Sequence, residues 1–170
     1  MADETRRRNF HSQCLYPTRA VFPKAAPLQM NATTTAKPFR LAVKAVILDG
    51  QQRCLLVRRS AFNHNFVGKW EWPGGKVDVG EDFATAVIRE TREETALEVE
   101  IIGLAGATSF EMPAAQIILL CMEARTLKGE IRLSEEHDDF AWVPLAEFAS
   151  WDLPEHNKPL MLEYAQKKGA

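Results

Sequence analysis

Residues 74–99 read GGKVDVGEDFATAVIRETREETALEV, Gly74 to Val99, with five Glu, two Asp and two Arg threaded among apolar residues at helical spacing. Asp82 stands at the N-cap of a helix predicted over Phe83 to Thr95. Taking Glu90 as zero and about 100° per residue, Glu93 falls at about −60° and Glu94 at about +40°, so the three carboxylates share one face. Phe83 and Val87, one turn apart, are the expected core anchors. Like charges so spaced cost an isolated helix a few tenths of a kcal/mol per pair, and Arg89 and Arg92 relieve only part of this. A solvated helix of mixed charge is one reading; a face that a divalent cation would neutralise is the other. The preceding Trp72-Pro73-Gly74-Gly75 favours the second, because two residues without Cβ let the backbone approach a ligand closely. An all-oxygen donor set of Glu90, Glu93 and Glu94 suits Mg²⁺. Zinc is disfavoured, since His11, His64, His137 and His156 are isolated from one another in sequence.

Around this stretch the chain has the composition of one ordinary α/β domain: 170 residues, 46% hydrophobic and 26% charged. Residues 1–38, with three early prolines and the basic run Arg6-Arg7-Arg8, are expected to be a flexible extension, and 39–170 the folded domain. Strands are predicted over Arg40–Asp49, Cys54–Arg58, Leu97–Leu104, Ala115–Ala124 and Phe140–Val143, the first two as a hairpin turning at Asp49-Gly50. A short helix is expected after Pro144 and a longer one over Lys158–Lys167. Strands that precede, separate and follow helices imply a mixed β-sheet sandwiched between helices.

A net charge of −2 supplies no global field for nucleic acid or for an acidic membrane, and neither is expected as a partner. No apolar run approaches the roughly 18 residues of a membrane span. Three cysteines without CxxC spacing read as thiols in a reducing, cytoplasmic setting.

The stretch resembles the signature of the Nudix hydrolases, Gly-x5-Glu-x7-Arg-Glu-U-x-Glu-Glu-x-Gly-U with U aliphatic. Gly75, Glu81, Arg89, Glu90, Glu93, Glu94 and Leu97 fill its places, and the similarity extends over residues 40 to about 168. Two positions depart from it. Thr91 replaces an aliphatic residue; it is similar in volume to Val and is expected to do little harm, keeping its packing if its hydroxyl bonds back to a helical carbonyl. Ala96 replaces the final glycine and is strained by about 1 kcal/mol if its φ is positive.

The resemblance implies a Nudix fold and a Mg²⁺-dependent pyrophosphohydrolase, with Mn²⁺ as an admissible substitute. It implies that Glu90, Glu93 and Glu94 hold the metal, that a carbonyl near Gly74 adds a ligand, and that Glu81 and Arg89 support the site. The general base is Glu93 or Glu136, the latter in the polar run Ser134-Glu-Glu-His-Asp-Asp139. Gly75 belongs to the loop facing the diphosphate; Arg58 and Arg59 are candidates for phosphate contacts, and Trp70, Trp72, Phe66 and Phe110 for base stacking. The segment Gly68-Lys-Trp-Glu-Trp-Pro-Gly-Gly75 is similar to that of nucleoside triphosphate hydrolases releasing pyrophosphate, on ordinary or oxidised nucleotides. The alternatives are an ADP-ribose or nucleotide-sugar pyrophosphatase, for which Pro113 lies near an expected proline, and a non-catalytic nucleotide sensor of the same fold. A homodimer is admitted.

Overall fold

The last five residues of Phe39–Ile47 are all buried, and a strand buried on both faces needs cover on both. In the computed structural model, which describes residues 36–169, this strand is β1. It pairs in parallel with β5 (Ala115–Lys128), and β5 pairs antiparallel with β4 (Glu98–Met112), giving a mixed sheet ordered β1-β5-β4. On one face Val43 packs with Met122 and with Ala86 and Val87 of helix α1 (Phe83–Thr95). On the other, Val46, Leu119 and Cys121 lie against Leu160, Met161 and Tyr164 of helix α2 (Lys158–Lys167). The expected α/β arrangement, a mixed sheet between helices, is therefore present.

A second, antiparallel sheet has the order β3-β2-β6, formed by Trp70–Glu71, Arg53–Arg59 and His137–Pro144. The predicted hairpin survives only at its turn, where Leu48 bridges Cys54 and the Asp49 carboxylate accepts 2.8 Å bonds from the Gln51 and Arg53 amides. Beyond it β1 and β2 diverge into different sheets, because both edges of β1 are already taken. β5 fills one edge; residues 73–77 fill the other, through Ala45 N–H to the Pro73 carbonyl, Val43 N–H to the Gly75 carbonyl and Val77 N–H to the Leu41 carbonyl.

Both helices have their predicted bounds, and Asp82 caps α1 by accepting from the Ala84 and Thr85 amides at 3.0 Å. The short helix after Pro144 is a 3-10 helix, Leu145–Ser150. The strand predicted to end at Leu104 instead runs to Met112. Its register slips between Ile101 and Gly103 and again between Leu104 and Gly106, and each slip resets which residues face the core, so no single alternating pattern spans it. Cys54 and Cys121 are free and buried, and burial pushes both thiols up to about 12. Among the described residues no helix is long and apolar enough to cross a membrane. The expectation of a flexible 1–38 segment lies, but for 36–38, outside the described residues.

Three expectations for α1 meet different outcomes. Phe83 is not a core anchor: the helix packs through Ala86, Val87, Thr91, Glu94 and Thr95, and its first residue is left 43% exposed. Thr91 is fully buried, but its hydroxyl has no partner among the described residues. The back-bond forms one turn later, from the Thr95 hydroxyl to the Thr91 carbonyl at 2.6 Å. Ala96 does adopt the left-handed conformation, with φ 60° and ψ 10°.

Both departures from the signature are thus local losses of stability. Thr91→Val, which removes a buried unpaired hydroxyl, should stabilise the fold by about 1 kcal/mol. Ala96→Gly should add roughly 0.5–1 kcal/mol by relieving the left-handed Cβ. Urea unfolding at matched slopes reads both, and a lower midpoint for either variant refutes its account.

Candidate active site

Residues 73–75 run along the edge of β1, and successive peptide groups of an extended chain face opposite ways. The Pro73 and Gly75 carbonyls accept from β1, each at 2.8 Å. Gly74 therefore presents its own groups to the other side. Its N–H donates to Glu94 Oε2 at 2.7 Å, and its carbonyl accepts from Lys44 Nζ at 2.6 Å. Gly74, with φ 129°, cannot carry a side chain, because a Cβ would lie 2.3 Å from the Val43 carbonyl oxygen; at Gly75 a Cβ would lie 2.5 Å from Glu90 Oε2 and would push that carboxylate aside.

On α1, Arg89 organises the carboxylates. It grips Glu81 with Nε and Nη2, at 2.9 and 2.8 Å, while Nη1 reaches Glu90 Oε1 at 2.9 Å and Glu93 Oε2 at 3.0 Å. The Glu81 pairing raises the Arg89 pKa above its already high value, and the same bonds lower that of Glu81. Glu94 is buried, and burial raises its carboxyl despite the Lys44 charge and the Gly74 amide; burial also raises Glu90, against the pull of Arg89.

Each of Glu90, Glu93 and Glu94 commits one oxygen to Arg89 or Gly74. The other oxygen of each makes no hydrogen bond to the described residues, which leaves hard, anionic donors of the kind a divalent ion takes. The three carboxylates are not gathered around one point: among the described residues no group of three or more His, Cys, Asp or Glu side chains stands within ligating reach.

On the other side of the glycine loop is a cavity of about 210 Å³, lined by Lys44, Arg59, Glu71, Gly74, Gly75, Phe66, Phe110, His156 and Asn157 among others. Its charged floor is Glu71, 3% exposed, which takes Lys44 Nζ at 3.2 Å and Arg59 Nη1 at 2.6 Å, with His137 Nε2 3.8 Å away. Burial alone would raise the Glu71 carboxyl, but Lys44, His137 and Arg59 outweigh it and hold the group well below the usual carboxylate range. The wall is aromatic: the His156 ring lies between Phe110, at 3.9 Å, and Phe66, at 4.6 Å. Burial lowers the His156 pKa, which favours the neutral ring. Phe66 holds φ at 58°, a strained value for a bulky residue. Asn157, at the start of α2, does not cap the helix; it is 4% exposed and its Oδ1 has no partner among the described residues.

Of the residues singled out from sequence, the structure brings Arg59, Phe66, Phe110, Gly74 and Gly75 to the cavity, and Glu81, Arg89, Glu90, Glu93 and Glu94 to the carboxylate face. Arg58 instead pairs with Asp138 at 2.7 Å and lies over Trp70, which packs edge-on against Trp151. Trp72 is in the core, its indole N–H on Cys54 Sγ at 3.2 Å. Glu136 is held by its backbone, whose carbonyl accepts from the Ser60 amide at 2.9 Å and from Asn63 Nδ2 at 2.6 Å, while its exposed carboxylate has no ion pair with the described residues. Sequence reasoning missed Lys44, Glu71 and Asn157. A lysine between Ala-Val and Ala-Val is the one signal of the first: a charge inside an otherwise apolar strand.

The family profile described as NUDIX domain matches residues 38–164. The chain is 26% identical over 122 residues to an 8-oxo-dGTP diphosphatase of Escherichia coli, covering 72% of this chain and 94% of the relative. It is likewise 26% identical over 130 residues to a CTP pyrophosphohydrolase of the same organism, covering 76% and 95%. Among solved structures, a MutT protein from Methanosarcina mazei superposes with a TM-score of 0.74 at 28% identity, over 81% of this chain and all of the other.

A buried carboxylate with a raised pKa weakens the metal-free fold at neutral pH. Its folded pKa exceeds the unfolded value, so stability is fullest at low pH, where both states are protonated, and declines as pH rises toward the folded pKa. Glu94→Gln, which keeps an oxygen for the Gly74 amide, should therefore raise metal-free stability at pH 7 by on the order of 1 kcal/mol. It should also abolish any Mg²⁺-dependent rise in Tm. Thermal melts with and without Mg²⁺ test this; a Gln variant less stable than wild type without metal contradicts it.

Proposed function

The chain belongs to the NUDIX family of pyrophosphohydrolases, and from that premise we propose that it converts a nucleoside triphosphate, ordinary or oxidised, to the monophosphate and pyrophosphate. The observation that carries this reading is the cavity beside Gly74 and Gly75. At roughly 210 Å³ it falls below the range of about 300–1,000 Å³ common for drug-sized ligands, which suits one flat ring and leaves the triphosphate to run outward toward α1. Phe110, Phe66 and His156 supply stacking faces. The unpartnered, buried Asn157 Oδ1 supplies an acceptor for a ring N–H or exocyclic amine, and an unmade hydrogen bond at such a site rejects a wrong base. The names of the two bacterial relatives, an 8-oxo-dGTP diphosphatase and a CTP pyrophosphohydrolase, support a compact nucleotide as substrate.

Glu90, Glu93 and Glu94 would hold Mg²⁺, which when bound would screen the diphosphate charge and acidify a water. Arg89 fixes Glu90 and Glu93 in rotamer, and Glu81 fixes Arg89. The Gly74 amide aims Glu94. Gly75, without a Cβ, lets Glu90 lie against the loop that faces the phosphates. Glu93 and Glu136 are the carboxylates able to take the proton of the attacking water; both are exposed, and Glu93 is already turned toward Arg89.

A hydrolysis panel of ordinary and oxidised nucleoside triphosphates, ADP-ribose and nucleotide sugars, with products identified, tests the reading. Release of pyrophosphate from triphosphates is expected, and turnover of ADP-ribose alone overturns it. Asn157→Ala should lower kcat/KM for the preferred base about tenfold or more and flatten the preference among bases. Of Glu93→Gln and Glu136→Gln, only the variant that removes the base should lose both about 10²-fold in rate and the acidic limb of the pH–rate profile.

A further inference from the structure

Residues 60–68 join β2 to β3, and the hydrogen bonds of this loop go to two places. Toward its far end Arg59 Nε donates to the Asn65 carbonyl at 2.9 Å, beside Phe66 in the cavity wall. The φ of 58° at Phe66 persists only where its surroundings hold it. At the near end the Ser60 amide and the Asn63 side-chain amide both donate to the Glu136 carbonyl, at 2.9 and 2.6 Å, and the Ser60 hydroxyl donates to the Glu135 carbonyl. Asn63 joins the two ends, because its Oδ1 accepts from Arg59 Nη2 while its Nδ2 holds Glu136. Those partners leave the amide one orientation, since a guanidinium needs the oxygen and a carbonyl the nitrogen. Arg59 donates in turn to Glu71 through Nη1 at 2.6 Å. An unbroken path thus runs from the charged floor of the cavity through Arg59 and Asn63 to the backbone of Glu136.

The turn that bears Glu136 is fixed from α1 as well. The Arg132 and Ser134 amides donate to the Thr95 and Glu94 carbonyls at 2.9 and 3.1 Å, groups that a helix end leaves without intrahelical partners. Glu94 therefore holds the turn through its carbonyl and the Gly74 amide through its side chain. Just after the turn His137 is buried, 3.8 Å from Glu71. The exposed Glu136 carboxylate, by contrast, makes no ion pair with the described residues. Ordering backbone costs roughly 1–2 kcal/mol per residue, and within the protein this carboxylate gains no partner from it.

We propose that Asn63 is a positioning residue: it ties the turn that bears Glu136 to Arg59, and so aims the Glu136 carboxylate at the water that attacks a substrate seated in the cavity. The inference rests on the pyrophosphohydrolase reading above, with Glu136 taking the proton, since Glu93 already commits one oxygen to Arg89. Asn63 touches neither substrate nor water; it acts through the Glu136 backbone. The same side chain serves Arg59, whose other bonds hold Asn65 and Glu71 at the cavity. One amide therefore sets the distance between the place of the base and the place of the proton transfer, a distance on which the rate depends steeply.

The test is Asn63→Asp in the full chain, which keeps an oxygen for Arg59 and loses only the donor to the Glu136 carbonyl. Pyrophosphate release from the ordinary nucleoside triphosphates with Mg²⁺ should show kcat lowered about tenfold and KM within about twofold of wild type. In the Glu136→Gln background the same substitution should change kcat by less than about twofold, because the group it positions is gone. Amide hydrogen exchange over residues 132–137 should quicken about tenfold in Asn63→Asp, while that over 73–77 is unchanged. An equal loss of kcat with and without Glu136, a rise in KM alone, or unaltered exchange over 132–137 overturns the role of Asn63 and leaves the hydrolase reading standing. A wild-type chain that releases no pyrophosphate from any nucleoside triphosphate refutes that reading and the proposal together.

Discussion

One residue, Gly74, joins the parts of this molecule that matter for its chemistry, because its amide and carbonyl are both committed to charged side chains that come from different elements. The amide holds Glu94 of α1 and the carbonyl holds Lys44 of β1, while the flanking carbonyls are stitched to the backbone of β1. A Cβ at this position would collide with the β1 backbone, so the strand, the loop and the helix can close on one another only around a glycine. Charge-assisted hydrogen bonds are among the stronger contacts available to a fold. Two of them on one residue fix the helix face relative to the cavity.

The consequence is a division of labour across the loop. On the helix side, anionic groups outnumber their partners: Arg89 serves Glu81, Glu90 and Glu93 at once, and Glu94 forms no salt bridge with the described residues. On the cavity side the balance reverses, since Glu71 alone faces Lys44 and Arg59. An anion spanning the loop would meet positive charge on the cavity side and, on the helix side, a surplus of carboxylates that repels it unless a cation is bound. Neither half is self-sufficient, and the stability lost at Glu94, Thr91 and Phe66 falls on the elements that form them.

Much of this was legible in the sequence where a local pattern and a local cause coincide. The bounds of α1 follow from its Asp82 cap and those of α2 from its helical pattern, and the grouping of Arg89 with Glu90 and Glu93 follows from helical spacing. What was not legible depended on partners distant in sequence. β1 and β2 look like a hairpin until the pairing of β5 and of residues 73–77 along β1 is known. The tail of β4 was hidden because the register slips between Ile101 and Gly103 and between Leu104 and Gly106 break the alternation that marks a strand. Phe83 shares a helical face with Val87, yet burial is decided by where the sheet lies beneath that face, and it lies under the later turns. Asn157 carries the residue type of a helix cap, yet it makes no cap bond and its Oδ1 has no partner among the described residues.

Lys44 depends most on distant partners. In sequence it interrupts an apolar strand, a position at which a lysine ordinarily reaches along the surface to water. Here the ammonium is buried instead, retained by a carbonyl that the strand's own register turns toward it and by a carboxylate that two cations share. Removing Glu71 would leave Lys44 and Arg59 facing each other in a buried space; removing Lys44 would leave Gly74 with an unpaired carbonyl next to the carboxylate face. The group is a set of mutually dependent charges, and such a set tolerates substitution only in pairs. That dependence connects the cavity on one side of the two glycines to the carboxylate face on the other, because Gly74 holds Lys44 through its carbonyl and Glu94 through its amide.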